Sequence, residues 1–316
     1  MQSEKNIAAI GAGAWGRNIV RTLNDMGRLG AVAETSSVLR EQAGKDYPNI
    51  ETVSDYAKLF SRSDITAVTI ATPAVTHHTI AKDCLLAGKD VFVEKPITLS
   101  VAAAEELVSI AEREGRILMV NHLLLYKPAV QFLKDYLAGG GLGKVFTYHQ
   151  ERMKLGKARA VENALVSLGV HDVAALLYLV GASPINVMCS GHCGLRDHVE
   201  DDTYLHMTFA DGRMAHLHNT WLWPEDRRGL KIIGERGMIV YDEKEETVTF
   251  FKKRIDSQLN NVDEGSEVLY QVPKDFQPLN AVMEHFMECI ETRKTPRSCG
   301  RNGLEVVRVL RRAGAF

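Results

Sequence analysis

Three glycines between an apolar run and a helical pattern constrain the fold of this chain more than any other feature. The stretch IAAIGAGAWGRNIV, residues 7–20, places Gly11, Gly13 and Gly16 in the spacing G-x-G-x-x-G. In a strand–turn–helix context these glycines allow a tight turn, a close approach of the backbone to a pyrophosphate, and packing of the helix on the strand. The N–H groups at the helix start favour phosphate. The stretch therefore predicts a dinucleotide site that includes Ala14 and Trp15.

An acidic residue at the end of the next predicted strand indicates which dinucleotide is bound. Glu34 lies at the end of LGAVAET, 18 residues after Gly16. A carboxylate at this place hydrogen-bonds the adenosine ribose hydroxyls and repels a 2′-phosphate, so we expect NAD in preference to NADP. Ser36, Ser37 and Arg40 follow closely and would soften that preference. The alternative interpretation is a glycine turn kept for packing, with Glu34 exposed.

The order of strands and helices predicts two domains. Over the first 120 residues, nearly all-apolar strands such as AVTIATP alternate with helical patterns, which is typical of a parallel sheet covered on both faces. After Gly181, half-apolar strands follow one another, separated by turns such as ADGR and GERG. We therefore predict an α/β protein with a Rossmann NAD-binding domain at 1–122. An α+β domain with a large, mostly antiparallel, open-faced sheet follows at 123–316.

Three further expectations concern less regular parts of the chain. The two C-terminal helices are candidates to pack back on the first domain. The polar residues 252–271 are expected to form a loop or hairpin. The open sheet face is a natural surface for a homodimer or homotetramer.

Composition excludes several classes of function. The 316 residues carry a net charge of −2, so nothing favours nucleic acid or an anionic membrane. No apolar run approaches the roughly 20 residues that span a bilayer, and MQSEKNIAAIG does not resemble a signal peptide. We therefore expect a cytoplasmic protein. The five scattered cysteines predict neither a disulfide framework nor a metal site.

Further motifs resemble, in order, those of the Gfo/Idh/MocA oxidoreductases over essentially the whole chain. VEKPITLS at 93–100 contains E-K-P at a strand end, and ATPAVTHH looks like A-T-P-x-x-x-H. VNHLLLYKPAVQFL resembles the segment that enters the second domain, and GVHD resembles the helix with the catalytic histidine. The resemblance implies an NAD-dependent dehydrogenase acting on CH–OH groups. It implies cofactor contacts from Thr72, Pro73, His77, Glu94, Lys95 and His122.

One stretch is similar to the nucleotide-sugar branch of this family, which includes 3-dehydrogenases of UDP-N-acetylglucosamine and of its uronate. The stretch is RMKLGKARAVENALVSLGVHD, and TWLWPEDRRGLKIIGERG resembles the S-W-x-x-P segment of the same branch. Lys154 replaces an asparagine of the branch pattern, and Glu225 and Asp226 displace a basic residue. Because a nucleotide sugar carries two phosphates, basic side chains should face it, with Lys157 and Arg159 as further candidates. The expected substrate contacts are Lys95, Tyr126, Arg152, Lys154, Asn163, Ser167 and His171.

A lysine and a histidine are the candidate catalytic residues. The family pattern is a lysine with D-x-x-x-H; here Lys95 and His171 are present, but Ser167 occupies the aspartate position, one helical turn before His171. Histidine titrates near neutral pH, so we expect His171 to be the general base and Lys95 its partner, or the reverse. Ser167 weakens the alternative of a polyol or free-sugar dehydrogenase. A catalytically silent NAD-binding regulatory protein and redox-neutral chemistry with tightly held NAD remain further alternatives.

Overall fold

The computed structural model describes residues 6–315, which fold into two compact units. The first unit comprises the residues up to Leu123 and Gln277–Val307; the second comprises Leu124–Phe276 and the residues from Arg308 onward. The helices are α1 (Gly16–Asp25), α2 (Ser37–Asp46), α3 (Ala74–Leu86), α4 (Val101–Arg113), α5 (Pro128–Ala138), α6 (Val170–Val180), α7 (Pro278–Thr292) and α8 (Gly300–Arg312). Short 3-10 turns occur at Tyr56–Leu59 and Leu123–Tyr126.

A six-stranded parallel sheet forms the core of the first unit. Its strands are β1 (Ile7–Ile10), β2 (Leu29–Ala33), β3 (Glu51–Val53), β4 (Ala67–Ile70), β5 (Asp90–Val93) and β6 (Leu118–Val120). They are ordered β3-β2-β1-β4-β5-β6, and every neighbouring pair is parallel. The order reverses between β1 and β4, and open α/β sheets bind dinucleotides at the carboxyl ends of the strands beside such a reversal. This confirms the predicted Rossmann architecture.

Helix α7 completes the first unit from the far end of the sequence. The ring of Phe286 lies 5.6 Å from that of Phe92 on β5, centroid to centroid. After the helix, Arg293 donates two hydrogen bonds of 2.8 Å to the buried Asp90. Since Phe92, Phe286 and Asp90 are at most 1% exposed, α7 belongs to the core of this unit.

An eight-stranded sheet forms the second unit. Its strands are β7 (Val145–Leu155), β8 (Asn186–His192), β9 (Asp202–Thr208), β10 (Met214–Thr220), β11 (Leu222–Gly234), β12 (Gly237–Asp242), β13 (Thr247–Ile255) and β14 (Asn261–Gln271). The order is β14-β13-β12-β11-β7-β10-β9-β8. All neighbours are antiparallel except β7 and β10, which are parallel. The mostly antiparallel sheet was therefore predicted correctly, and residues 252–271 belong to a hairpin of β13 and β14.

The two faces of the second sheet have different environments. On β7, Tyr148, Gln150 and Arg152 are buried, whereas the alternate residues His149 and Glu151 are half-exposed. Helices α5 and α6 cover the buried face and leave the other open, as predicted. Among residues 6–315, no helix combines the length and apolarity needed to cross a membrane.

Candidate cofactor and catalytic residues

The three glycines of the first loop differ in what surrounds them. Gly11 has a φ of +94°, and a Cβ there would lie 2.7 Å from the carbonyl oxygen of Ala71. A Cβ on Gly16 would lie 2.1 Å from the carbonyl oxygen of Gly11, too close for any side chain. A Cβ on Gly13 would have no atom within 4 Å. Gly11 and Gly16 therefore fix the turn, and Gly13 leaves space above it.

A cavity of about 640 Å³ opens beside this loop, within the first unit. Its lining includes Gly11, Gly13, Glu34, Thr72 and Pro73. Cavities of a few hundred to about 1,000 Å³ are typical of cofactor sites. With a glycine cradle at a helix start and a carboxylate at its edge, these residues fit a dinucleotide.

Glu34 is held toward the glycine loop. Its carboxylate accepts hydrogen bonds from the backbone N–H of Ala12 at 2.7 Å and of Ser36 at 2.9 Å. The guanidinium of Arg40 donates to the carbonyl oxygen of Glu34 at 2.7 Å. These hydrogen bonds fix the carboxylate at the cavity edge, and its contact with the ribose stays a prediction.

His77 is held between two loops of the first unit. The ring is 1% exposed; Nδ1 lies 2.8 Å from the carbonyl oxygen of Pro96, and Nε2 lies 2.9 Å from that of Thr72. Burial lowers the pKa of His77, so the ring is neutral and donates to one carbonyl at a time. His77 therefore links the A-T-P loop to the E-K-P loop, and its expected contact with the cofactor stays a prediction.

Glu94 organises the side chains around the E-K-P motif. Its Oε1 accepts hydrogen bonds from Trp15 Nε1 and from Asn121 Nδ2. Burial raises the pKa of Glu94, against the effect of these donors. Asn121 was not predicted as a site residue, although it stands beside His122 in the sequence. Glu94 thus ties the glycine loop to the ends of β5 and β6.

His122 lies in the same unit as Lys95 and is 1% exposed. Neither ring nitrogen has a hydrogen-bond partner within residues 6–315. Burial, with the positive charge of Lys95 as the second cause, lowers the pKa of His122 to about 3. A buried polar ring without partners is costly in a folded protein. The ring is therefore neutral, near Lys95, and suited to a ligand that supplies the missing hydrogen bond.

Ser167 lies within an irregular turn of the second unit, and His171 follows that turn. Residues Leu165–Gly169 form a single π-helical turn, and α6 begins at Val170. Such turns are rare and often occur at functional sites. The indole Nε1 of Trp221 donates to Ser167 Oγ at 3.1 Å. Because the wider π turn precedes α6, the regular α-helical spacing that the sequence predicts for Ser167 and His171 does not hold.

Three expected substrate contacts have other surroundings. Arg152 is buried and donates hydrogen bonds to both oxygens of Asp172 and to Glu243, and its expected contact with a phosphate stays a prediction. Asn163 donates to Glu200 at 3.0 Å and accepts from the N–H of Val166 at 2.9 Å, so it closes the turn before α6. Tyr126 is 4% exposed within the second unit.

Lys154, Lys157 and Arg159 are the cations expected to face the substrate, and that role stays a prediction. Lys154 is half-buried, and Lys157 and Arg159 are exposed. No ion pair joins any of the three to a described acidic residue of the chain. The described residues contain no cluster of His, Cys, Asp and Glu that could hold a metal ion.

Two family models match most of this chain. The oxidoreductase model with an NAD-binding Rossmann fold, GFO_IDH_MocA, matches residues 5–122. The GFO/IDH/MocA C-terminal domain model matches residues 130–240.

Two curated relatives have the same sequence identity to this chain but are named for different activities. A 2,7-anhydro-N-acetylneuraminate hydratase from Mediterraneibacter gnavus is 29% identical over 255 residues, covering 74% of this chain and 66% of that protein. UDP-N-acetylglucosamine 3-dehydrogenase from Acidithiobacillus ferrooxidans is 29% identical over 171 residues, covering 54% of this chain and 53% of that protein. The matches thus span about half to two thirds of these relatives.

Solved structures share the fold over nearly the whole chain. A protein assigned to the oxidoreductases from Magnetospirillum magnetotacticum MS-1 is 30% identical, with a TM-score of 0.84 over 98% of this chain and 99% of that one. The Acidithiobacillus dehydrogenase is 23% identical in the structural alignment, with a TM-score of 0.84 over 98% of this chain and 97% of that one. This second likeness concerns the fold alone.

Proposed function

This chain belongs to the Gfo/Idh/MocA oxidoreductase family, and we propose that it oxidises a secondary hydroxyl, at C3, of a nucleotide-linked sugar such as UDP-N-acetylglucosamine or its uronate. This proposal rests mainly on the basic stretch that begins at Lys154, near the end of β7, and continues beyond the strand with Lys157 and Arg159. None of the three has an acidic partner among residues 6–315. A diphosphate is the substrate group that such cations suit best. Free sugars and polyols would not use them.

The cofactor we propose is NAD, in preference to NADP. The carboxylate of Glu34 faces the cavity edge and would repel a 2′-phosphate. Arg40 is a cation close to Glu34 that could favour NADP, but its guanidinium donates to the carbonyl oxygens of Glu34 and Thr35. Bound NAD would supply the hydride acceptor.

The protein's own contribution is to bind the alcohol and to move its proton. We propose His171 as the general base that takes the hydroxyl proton and Lys95 as its catalytic partner, or the reverse. Ser167 Oγ accepts a hydrogen bond from Trp221 Nε1, so the hydroxyl hydrogen of Ser167 is directed away from Trp221. A neutral serine here suits a substrate that already carries negative charge better than an aspartate would.

One observation favours a second candidate function. The relative with the longer alignment of the two curated proteins is named as a hydratase of an anhydro sugar. A redox-neutral reaction on a sugar, with NAD retained through the cycle, would use the same residues. This second function predicts a product that has not lost two hydrogens relative to the substrate.

We also propose that the chain forms a homodimer or homotetramer through the open face of the eight-stranded sheet. Exposed apolar side chains on this face include Met188, Met214, Ile233 and Val268. Its charges are paired locally, as in Lys231 with Glu151 at 2.8 Å. A face with little net charge does not repel a second copy of itself.

The test is turnover with NAD or NADP across UDP-N-acetylglucosamine, its uronate, the free sugar and myo-inositol, with product masses. The dehydrogenase proposal expects NADH and a product two daltons lighter from the UDP sugars alone. Lys95→Met and His171→Gln should each lower kcat by about 100-fold or more, as expected for loss of acid–base catalysis. His78→Gln, a variant of a surface histidine paired with Glu106, is the matched control. Turnover of free inositol would refute the proposal, and an unchanged redox balance would favour the second candidate.

A further inference from the structure

A buried ion cluster lies beside the proposed base, within the second unit. Arg152 Nε and Nη2 donate to Asp172 Oδ1 at 2.9 and 2.8 Å, and Nη2 also donates to Glu243 at 2.8 Å. The side chain of Asp172 is fully buried, and those of Arg152 and Glu243 are 10% and 5% exposed. Burial lowers the pKa of Arg152, but the two carboxylates outweigh it and hold the pKa above its usual value. The guanidinium therefore stays charged.

Stability alone does not account for such a cluster. Removing charges from water costs several kcal/mol per ion, and apolar residues of similar volume commonly stabilise a protein as well. A bidentate pair also fixes the orientation of the carboxylate relative to the guanidinium, because the two groups fit together in one plane. The cluster therefore indicates a need to hold one of its members in a single orientation.

Asp172 is the member that is held most completely. Asn219 Nδ2 donates to Asp172 Oδ2 at 3.0 Å, so the carboxylate is bound from two sides. Arg152 and Asn219 are direct neighbours across the parallel pair β7 and β10. The two central strands thus present adjacent donors to one carboxylate.

Gly169, the last residue of the π-helical turn, makes room for this arrangement. A Cβ on Gly169 would lie 2.3 Å from Asn219 Oδ1, so Asn219 can reach the helix only because residue 169 has no side chain. Asp172 lies in the first turn of α6, directly after His171. Because residues of one helical turn move together, fixing Asp172 fixes the rotation of that turn about the helix axis.

We infer that Arg152 and Asn219 are positioning residues, which clamp Asp172 and thereby set the direction in which His171 leaves the first turn of α6. The inference rests on the proposed function, in which His171 is the general base. Arg152 thus acts through Asp172 and needs no contact with substrate.

The experiment compares two variants that each remove one carboxylate from the same arginine. Asp172→Asn loosens the clamp on α6. Glu243→Gln leaves the hydrogen bonds of Arg152 to Asp172 and keeps an oxygen acceptor for Arg152, and residue 243 follows β12 and is not part of α6. We expect kcat of Asp172→Asn to fall by about 100-fold with KM within about threefold, the size of loss that small misplacements of catalytic groups cause. Glu243→Gln should keep kcat within about twofold.

A second readout does not depend on turnover. The ring Cε1–H signal of His171, identified by its absence in His171→Gln, should move or broaden in Asp172→Asn and stay in place in Glu243→Gln. If the wild type turns over none of the sugars, the proposed function fails while this signal still tests the clamp. Should Asp172→Asn not fold, Asn219→Ala, which keeps the arginine pair, should show the same changes at smaller size. Equal effects of the variants at 172 and 243, or an unmoved signal in the variants at 172 and 219, would overturn the inference.

Discussion

The buried histidine beside Lys95 predicts a specific loss of stability in acid. The pKa of His122 is about 3 in the folded protein and 6.5 in an unfolded chain. Between these values the unfolded state binds a proton that the native state does not, so the free energy of unfolding falls as the pH falls. Each pH unit below 6.5 costs about 1.4 kcal/mol. At pH 5 the loss is about 2 kcal/mol, which corresponds to a factor of about 30 in the unfolding equilibrium.

Hydrogen exchange of β4 and β5 measures this effect within the first unit alone. After correction for intrinsic rates, the protection factors of peptides covering Ala67–Ile70 and Asp90–Val93 should fall about 30-fold more between pH 7 and pH 5 in the wild type than in His122→Phe. Other buried histidines, such as His77, contribute equally to both proteins. Lys95→Met should keep most of the effect, because burial is the larger cause of the shift. An identical pH dependence in wild type and His122→Phe would refute the argument.

Two further predictions concern the glycine loop and the open sheet face. Gly13→Ala should melt at the wild-type temperature but bind NAD at least about tenfold more weakly in a fluorescence titration, because its Cβ meets no protein atom and occupies the phosphate space. Gly16→Ala should lower the melting temperature, since its Cβ would overlap the carbonyl of Gly11; equal melting temperatures would contradict the loop geometry. Light scattering should give the mass of a dimer or tetramer, and Met188→Glu with Val268→Glu should shift it toward the monomer. A monomeric wild type would count against the proposed interface.

The first sheet could be predicted because its determinants are local. All four residues of Ile7–Ile10 and all four of Asp90–Val93 are buried, and such runs are typical of parallel strands covered on both faces. The roles of the glycines follow from what a Cβ would meet, which the strand–turn–helix pattern already implies. Glu34 follows from its place at the end of β2. The buried strands, the glycine turn and the position of Glu34 each depend on a short segment of the chain, so they can be predicted from the sequence of that segment.

The second unit could be predicted only in outline, because its determinants are non-local. Alternation predicts strands but not that β7 and β10 pair in parallel, and that pairing is what brings Asn219 beside Arg152. The face on which Arg152 lies depends on which side of the sheet α6 covers, so the alternation of residues along β7 does not predict that Arg152 is buried. The signal in the sequence is Asp172, the one acidic residue in the helix Val170–Val180. A π-helical turn depends on one extra residue per turn, which periodicity does not resolve.

The path of the chain through the first unit has a consequence for its synthesis. Residues 124–276 are made before α7, whose Phe286 packs on Phe92 of β5. During translation, the apolar surface of the Rossmann sheet around Phe92 therefore remains uncovered until residues 124–276 have been synthesised. The emergence of α7 is then the step at which the cofactor-binding unit acquires its full core. We expect nascent chains stalled before Gln277 to bind chaperones and full-length chains to be released from them.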